Sequence, residues 1–213
     1  MKVILSLGGS FIYNKTNELK KLKDLVQNKE NSFIIICGGG KLAREWINFG
    51  KLLGLKEEVL HNIGIKATQL NAFIISEYLG GTHFEGDPHS LSSERIVVGG
   101  GFKPGDTTDN DAAYAAIAVG AKVVFNMSKE DGVYDRDPEK FLNAKLIKKM
   151  TFNRLYGLTG SARMPGMNFI FDPEAAKLCE KRGIDVIVTS EFSDIKKYFK
   201  GQKLAGTIIS NKQ

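Results

Sequence analysis

Residues 95–121 read RIVVGGGFKPGDTTDNDAAYAAIAVGA, with an apolar start, a glycine-rich middle and an alanine-rich end. The apolar segment 96–98 predicts a short buried strand, and the segment 99–108 predicts a loop. A helix is predicted from Asp109 to about Val119, with Gly120 in the left-handed conformation that commonly ends helices. The stretch therefore predicts a strand, a glycine loop and a helix in direct succession.

Two earlier apolar segments also run directly into glycines, VILSLGGS at 3–10 and FIIICGGG at 33–40. Glycines let consecutive backbone N–H groups converge on an anion, and a helix that follows adds its positive end. Because ligands bind at the carboxyl ends of parallel strands, the three loops together predict one phosphate-binding site. None of the loops matches GxxxxGKS or GxGxxG, and each alone is also explained as an ordinary turn.

Strands and helices alternate along the rest of the chain, and the strands are continuously apolar. This pattern predicts an α/β fold, a three-layer αβα sandwich around a mainly parallel sheet. Strands are predicted at 2–7, 33–37, 96–98, 122–127, 146–150, 185–189 and 205–210, with a short one within 82–95. Helices are predicted at 18–30, 41–53, 57–79, 109–119, 152–158, 173–182 and 193–200.

The helix predicted at 41–53 has apolar residues spaced for one face, Leu42, Trp46, Phe49 and Leu53. We expect Trp46 and Phe49 to lie in the core rather than to form a platform for a nucleobase. A glycine inside the next helix, Gly64, costs about 1 kcal/mol relative to alanine. It predicts a close approach of another group to the helix backbone.

The composition is that of a globular protein, with 42% hydrophobic and 25% charged residues and a net charge of +6. Basic residues are dispersed, which argues against nucleic-acid binding. No apolar run approaches the roughly 20 residues of a membrane helix, and the first is shorter than a signal-peptide core. We expect a cytoplasmic protein without a membrane partner. The two cysteines, Cys37 and Cys179, are predicted to be core residues.

Charged and hydroxyl side chains accompany the glycine loops. Lys41, Arg44 and Lys103 add positive charge at the predicted sheet edge, and Thr107 and Thr108 offer hydroxyl groups. Asp109 would orient donors or basic side chains, because an aspartate repels a phosphate. The alternative for this threonine–aspartate run is an ordinary helix cap.

Six motifs together resemble the amino acid kinase superfamily, and within it the archaeal-type uridylate (UMP) kinases. They are GGGKLAREW, NIGIKATQLNAF, GGFKPGDTTDNDAA, DGVYDRDPEKFLNAKLIKKM, PGMNFIFDPEAAKL and AGTIIS. The resemblance spans the whole chain. It implies one domain, 1–213, with an acceptor-binding N-terminal half and an ATP-binding C-terminal half. It also implies transfer of a phosphoryl group from ATP, with Mg²⁺, to UMP in pyrimidine nucleotide biosynthesis, by a hexamer built from dimers.

The resemblance assigns residues to the two halves of the site. ATP would contact a set drawn from both halves of the chain: Gly9, Ser10, Gly40, Arg44, Ser128, Lys129, Tyr134 and Asp137. The acceptor would contact one glycine turn, one helix residue and one loop: Gly39, His61, Phe102, Lys103, Pro104, Gly105, Asp106, Thr107 and Thr108. Asp109 resembles the aspartate that organises the catalytic centre.

Three positions depart from the family pattern. Ser6 stands where many members have a lysine, so Lys41, Arg44, Lys103 or Mg²⁺ would supply that charge, and Lys41 and Arg44 are therefore candidate catalytic residues. His61 replaces an aspartate that binds the acceptor's ribose; the alternative is a partly exposed helix histidine. Ser128 begins a segment that is usually Thr-Asn-Val. These departures leave open a kinase for another phosphorylated or carboxylate acceptor, or a non-catalytic protein that binds an oxyanion or nucleotide.

Other polar residues have two readings. The aspartates at 131, 135 and 137 could form a metal cluster or belong to turns, where aspartate is common; we assign no metal ligands. His83 and His89 are predicted to be surface loop residues. Arg163, in the loop that precedes Asp172, could face ATP or contact another subunit.

Overall fold

The computed structural model describes residues 2–27, 31–91, 94–159 and 170–211. Eight strands form one sheet: β1 (Lys2–Leu7), β2 (Ser32–Cys37), β3 (Thr82–Phe84), β4 (Ile96–Gly99), β5 (Val123–Met127), β6 (Lys149–Met150), β7 (Asp185–Thr189) and β8 (Thr207–Ile209). The helices are α1 (Gly9–Asn14), α2 (Thr16–Gln27), α3 (Gly40–Leu52), α4 (Glu57–Leu79), α5 (Thr108–Val119), α6 (Phe152–Thr159), α7 (Pro173–Arg182) and α8 (Ser193–Phe199). A short 3-10 helix spans Pro88–Ser90.

The strand order is β3-β4-β2-β1-β5-β7-β8-β6, and every neighbouring pair is parallel except β7 with β8. The register brings the ends of the central strands level, since Leu7 pairs with Cys37 on one side and with Met127 on the other. On the far side of β2, Gly99 at the end of β4 pairs with Ile36, so the segments that follow β4, β2 and β1 leave the sheet side by side. The sheet topology thus places the glycine loops at one edge.

The strands are apolar throughout because both faces of the sheet are covered. Val3, Leu5 and Leu7 point into one core, which α1, α2, α4 and α8 close. Ile4 points into the other core, which α5, α6 and α7 close. The predicted α/β sandwich is therefore confirmed, and Cys37 and Cys179 are buried free cysteines, as predicted.

Helix boundaries follow the predicted caps closely. Thr107 caps α5 by accepting a hydrogen bond from the N–H of Asn110, and Gly120 ends that helix with φ of 67°. Asp172 caps α7 ahead of Pro173, and Gly183 ends it. Helix α2 begins two residues before its predicted start, and residues 28–30 lie outside the described part of the chain. Helix α1 was not predicted, because its first residue belongs to a glycine pair that indicates a turn.

The core prediction for α3 was wrong. Trp46 and Phe49 are 55% and 51% exposed and pack on each other edge to face, and Leu53, just after the helix, is 60% exposed. The buried residue of the helix is Gly50, where a Cβ would meet Leu60 at 2.7 Å. Helix α3 thus packs on α4 through its small residue, and its apolar stripe faces outward.

Within the described residues, the helices are too short or too polar to cross a bilayer.

Candidate active site

Three glycine turns meet at the carboxyl edge of the sheet. They span 8–9, 38–40 and 99–101, and they follow β1, β2 and β4. Gly9 and Gly40 touch through their backbones, and a Cβ on either one would collide with the other. Gly40 also has φ of 56°, a conformation that favours glycine. The close approach explains why these turns contain glycine rather than a residue with a side chain.

A cavity of about 430 Å³ opens beside the turns. Eight of the predicted acceptor residues line it: Gly39, His61, Lys103, Pro104, Gly105, Asp106, Thr107 and Thr108. The other lining residues were not predicted as site residues: Ala43, Ile47, Lys51, Glu57, Leu60, Gly64, Ile65, Thr68 and Gly101. They come mainly from α3 and α4, whose facing surfaces form the wall of the cavity opposite the loop.

The two ends of the cavity differ in chemistry. At one end, α3 and α5 begin, so the positive ends of their dipoles and their free N–H groups favour an anion. At the other end, the Nε2 atom of His61 lies 3.6 Å from Oε1 of Glu57, and Lys51 is adjacent. Gly64 also lines this end of the cavity, and a Cβ added to it would lie 3.4 Å from Cδ1 of Ile47. The cavity fits a ligand with a phosphate at one end and hydrogen-bonding groups at the other.

Asp109 lies in the first turn of α5, next to the glycine turns. Its Oδ1 atom accepts a hydrogen bond of 2.7 Å from the hydroxyl of Ser6, and its Oδ2 atom accepts one of 3.0 Å from the N–H of Asp172. Burial raises the pKa of Asp109 to about 6, although both hydrogen bonds oppose the rise. The carboxylate is thus held in a fixed orientation by three separate segments of the chain. Ser6 thus supplies a neutral donor to this carboxylate.

Lys41 and Arg44 lie in the first turns of α3 and are exposed. The Nζ atom of Lys41 is 3.5 Å from Oε1 of Glu45, in a pair that is open to solvent. Lys103 is also exposed, on the loop that closes the cavity. All three cations are therefore exposed, two of them at the start of α3 and one on the loop that lines the cavity.

Phe102 begins the predicted acceptor loop, residues 102–108, but it does not line this cavity. Its side chain is 42% exposed and lines a second cavity of about 310 Å³, together with Asp111 and Tyr114. The buried carboxylate of Asp111 accepts a hydrogen bond from the N–H of Phe102, and burial raises its pKa to about 7. The structure therefore places Phe102 at the second cavity, and its contact with the acceptor stays a prediction.

The predicted ATP residues lie at the start of α1, in the first turns of α3 and in the segment after β5. Gly9 and Ser10 open α1. The N–H of Ser128 donates to the carbonyl oxygen of Thr189, which continues the sheet by one residue. Lys129 forms ion pairs with two glutamates, one of them Glu139. The Lys129 side chain is 52% exposed in these ion pairs.

The hairpin after β5 carries Tyr134 and Asp137. Tyr134 forms an antiparallel bridge with Leu146. Asp137 accepts a hydrogen bond of 3.0 Å from the N–H of Glu139, and this bond lowers the pKa of its carboxyl group. The aspartate thus caps a turn in addition to any ligand contact.

The three aspartates of this segment each serve a different local bond. Asp131 accepts from the hydroxyl of Ser190 at 2.6 Å, and Asp135 accepts from the N–H of Lys145 at 2.8 Å. Across the residues that the structure describes, no group of three acidic, histidine or cysteine side chains is placed to hold a metal ion. Arg163 lies outside the described residues.

The prediction that His83 is a loop residue was wrong. It belongs to β3, and its Nε2 atom is 3.2 Å from Oε1 of Gln69 on α4. His89 is exposed in the 3-10 helix and bonds to Asp87, as expected for a surface residue. The edge strand β3 was too short to be located within 82–95 from the sequence.

Comparison with known proteins gives consistent results. The chain matches the amino acid kinase family over residues 1–190. It is 33% identical to the uridylate kinase of Archaeoglobus fulgidus over 220 residues, which cover 99% of this chain and 100% of that protein. It is 35% identical to the uridylate kinase of Methanocaldococcus jannaschii over 207 residues, 88% of this chain and 90% of that protein. The crystal structure of the Archaeoglobus fulgidus uridylate kinase superposes with a TM-score of 0.80 at 32% identity, covering 99% of this chain and 100% of that one.

Proposed function

The chain belongs to the amino acid kinase family, and from that premise we propose that it transfers a phosphoryl group from ATP to UMP, giving UDP and ADP. The uridylate kinases it resembles cover nearly its whole length. The observation that carries the proposal is the cavity of about 430 Å³, which is built from the residues that the family motifs assign to the acceptor. The chain is accordingly a nucleoside monophosphate kinase.

The acceptor phosphate lies at the helix-start end of the cavity. Thr107, Thr108 and the backbone of 103–106 surround it, and the first turn of α5 adds its N–H groups. Backbone donors at a helix start bind phosphate without the bulk of side chains. This end is also next to Asp109, where the reaction takes place.

The far end of the cavity receives the nucleoside. Glu57 supplies a carboxylate one helical turn before His61, and the two side chains are 3.6 Å apart. A sugar hydroxyl group can donate to that carboxylate while the imidazole accepts or donates a second hydrogen bond. Glu57 thus offers an acidic group close to the position where related sequences have an aspartate, although its own side chain is exposed.

ATP occupies the other side of the same sheet edge. Gly9, Ser10 and Gly40 contact its phosphates, and the segment with Ser128 and Tyr134 contacts the nucleoside. The acceptor residues thus come from the N-terminal half of the chain and most of the nucleoside contacts of ATP from the C-terminal half, within one domain of 1–213.

Mg²⁺ accompanies ATP in this proposal and neutralises charge on its phosphates when bound. The ion usually binds through phosphate oxygens and one or two carboxylates. This mode fits the described residues, in which no group of three acidic, histidine or cysteine side chains is placed to hold a metal ion. The nucleotide would therefore carry the ion.

Catalysis rests on position and charge, because phosphoryl transfer asks little covalent chemistry of the protein. The contact between Gly9 and Gly40 fixes the turn at 8–9 against the turn at 38–40, which also carries Gly39 of the acceptor set. The two phosphates can therefore be aligned. Lys41, Arg44 and Lys103 are the exposed cations that can neutralise developing charge, in place of the lysine that many family members would have at Ser6. Asp109 fixes the geometry between β1, α5 and α7.

A kinase for another acceptor is the second candidate, and His61 is the observation that favours it. An imidazole carries a different charge from an aspartate. The substitution therefore changes which hydroxyl or carboxylate group of an acceptor this position binds. Such an acceptor would still place its phosphate or carboxylate at the start of α5.

A homo-oligomer goes with this proposal, and a second copy of the chain would cover the outward apolar face of α3 and α4. The exposed side chains there are Trp46, Phe49, Leu52, Leu53, Val59, Leu70, Phe73 and Ile74. Trp46, Val59 and Leu70 line one surface groove between the two helices, and exposed apolar groups of this kind mark interfaces. A dimer through this face would be the unit of a hexamer. A cytoplasmic location follows from the substrates, because ATP and UMP are available there.

A coupled assay of ADP release tests the function against a panel of nucleoside monophosphates and small phosphorylated or carboxylate acids. We expect UMP to give the highest kcat/KM. A higher value with another acceptor would establish the second candidate in its place. ATP binding without turnover on any acceptor would indicate a non-catalytic protein.

A further inference from the structure

Helix α4 carries three buried polar side chains close together, Thr68, Gln69 and Asn71. Buried polar groups need hydrogen-bond partners. All three find partners in the glycine turns rather than only in their own helix. Ser76, further along the same helix, is also buried, but its hydroxyl donates to the carbonyl oxygen of Phe73 in the helix itself.

Thr68 and Gln69 hold the turn that follows β4. The Oγ1 atom of Thr68 accepts a hydrogen bond of 2.7 Å from the N–H of Gly101. The amide of Gln69 accepts from the N–H of Gly100 at 3.2 Å and donates to the carbonyl oxygen of Gly101 at 3.0 Å. A Cβ on Gly100 would lie 2.7 Å from the α4 backbone. The turn is therefore fixed at the point where the acceptor loop begins.

Asn71 holds the turn that follows β2. Its Nδ2 atom donates to the carbonyl oxygen of Gly38 at 2.7 Å, and the residue is only 2% exposed. Gly38 is packed so closely that a Cβ there would lie 2.9 Å from the nitrogen of Gly9. Fixing the turn at 38–40 thus also fixes the turn at 8–9.

The orientation of the Gln69 amide determines the role of His83. Because Oε1 accepts from Gly100 and Nε2 donates to Gly101, the imidazole of His83 must donate its Nε2–H to Oε1. The imidazole also lies edge to face with Phe73. Strand β3 thereby supports the glutamine side chain from behind.

We propose that Thr68, Gln69 and Asn71 are positioning residues for phosphoryl transfer, which hold the three glycine turns in the spacing that the donor and acceptor phosphates require. The proposal rests on the proposed function. None of the three needs to take part in the chemistry, since each acts through backbone groups of the turns. A displacement of reacting groups by about 1 Å can cost about 100-fold in rate.

The test compares Gln69→Met and Asn71→Leu with the matched control Ser76→Ala. Amide hydrogen exchange is measured first, on the protein without substrates. We expect Gln69→Met to raise exchange across 99–108 by about tenfold or more, and Asn71→Leu to raise it across 38–43, while Ser76→Ala leaves both segments unchanged. If Gln69→Met does not fold, Gln69→Glu keeps the acceptor for Gly100 and loses only the donor to Gly101, and the same local change is expected.

Steady-state kinetics with UMP then separate positioning from stability. Gln69→Met should lower kcat/KM for the acceptor by about 10- to 100-fold and leave the KM for ATP within about twofold. The proposal would be overturned if Gln69→Met and Asn71→Leu exchanged amide hydrogens across both turns at the wild-type rates. It would also be overturned if all three variants, including Ser76→Ala, lost activity equally and in proportion to their loss of stability. Absence of turnover in the wild type would overturn the proposed function alone, because the exchange experiment needs no substrate.

Discussion

Replacement of Asp109 by asparagine should abolish most activity and yet make the protein more stable at neutral pH. Asparagine can keep both hydrogen bonds. Its carbonyl oxygen can accept from the N–H of Asp172, and its amide can donate to the hydroxyl of Ser6, which accepts as readily as it donates. The substitution therefore removes a charge without leaving an unpaired group.

The expected gain in stability follows from the pKa of Asp109. Burial raises it from an ordinary value of 3.8 to about 6, so the folded protein binds this proton more tightly than the unfolded chain does. Wild-type stability therefore falls as the pH rises from about 4 to about 6, and the fall amounts to up to about 3 kcal/mol. The Asp109→Asn variant lacks this fall.

Urea unfolding at pH 4 and at pH 8 measures the difference between variant and wild type. We expect a difference near zero at pH 4 and a variant that is more stable by up to about 3 kcal/mol at pH 8. In the same preparation, kcat should fall by about 100-fold or more, because the neutral amide keeps both hydrogen bonds but removes the negative charge that orients basic side chains at the centre. A variant that is less stable than the wild type at pH 8, with activity lost in proportion, would show that Asp109 has a structural role and refute the reasoning.

Three further predictions concern the packing of the turns, the acceptor site and the assembly, and the first two use matched pairs. Gly9→Ala should lower the free energy of unfolding by about 2 kcal/mol or more, because the added Cβ collides with Gly40. Gly157→Ala in α6 meets open space and should raise the free energy of unfolding by about 0.5–1 kcal/mol. Equal effects of the two substitutions in urea unfolding would contradict the close packing of the turns. Glu57→Gln should raise the KM for UMP by about 5- to 10-fold with kcat unchanged, and Glu58→Gln, which lies outside the cavity, should not; equal KM values would remove Glu57 from the site. Trp46→Glu should convert the assembly to a smaller species in analytical ultracentrifugation, and an unchanged mass would place the interface elsewhere.

The layers of the fold were predictable because their causes are local in sequence. Continuous apolar strands predicted a sheet covered on both faces, and the pair of Asp172 and Pro173 predicted the start of α7. The amphipathic pattern of α3 was also read correctly, but a pattern does not identify the surface that covers it. Trp46 and Phe49 therefore appeared to be core residues, although nothing in the described part of this chain covers them.

The site was predictable in part for the same reason. Loops that end parallel strands meet wherever the helices go, so the turns at 38–40 and 99–101 could be brought together from sequence alone. The roles of Glu57 and Gln69 depend on which helix crosses the sheet edge, and this is set by packing between distant segments. The role of Gln69 could have been predicted from the polar residues between Thr68 and Asn71, because they interrupt an otherwise apolar helix.

The measurement that tests the central claim most directly is the fate of the terminal phosphoryl group of ATP. The protein is incubated with Mg²⁺, UMP and ATP that carries a labelled γ-phosphate, and the products are separated. We expect the label to appear at the β-position of UDP, and we expect this transfer to be largely lost in the Asp109→Asn variant. Label that stays in ATP, is released only as inorganic phosphate, or moves to a different acceptor in preference to UMP would contradict it.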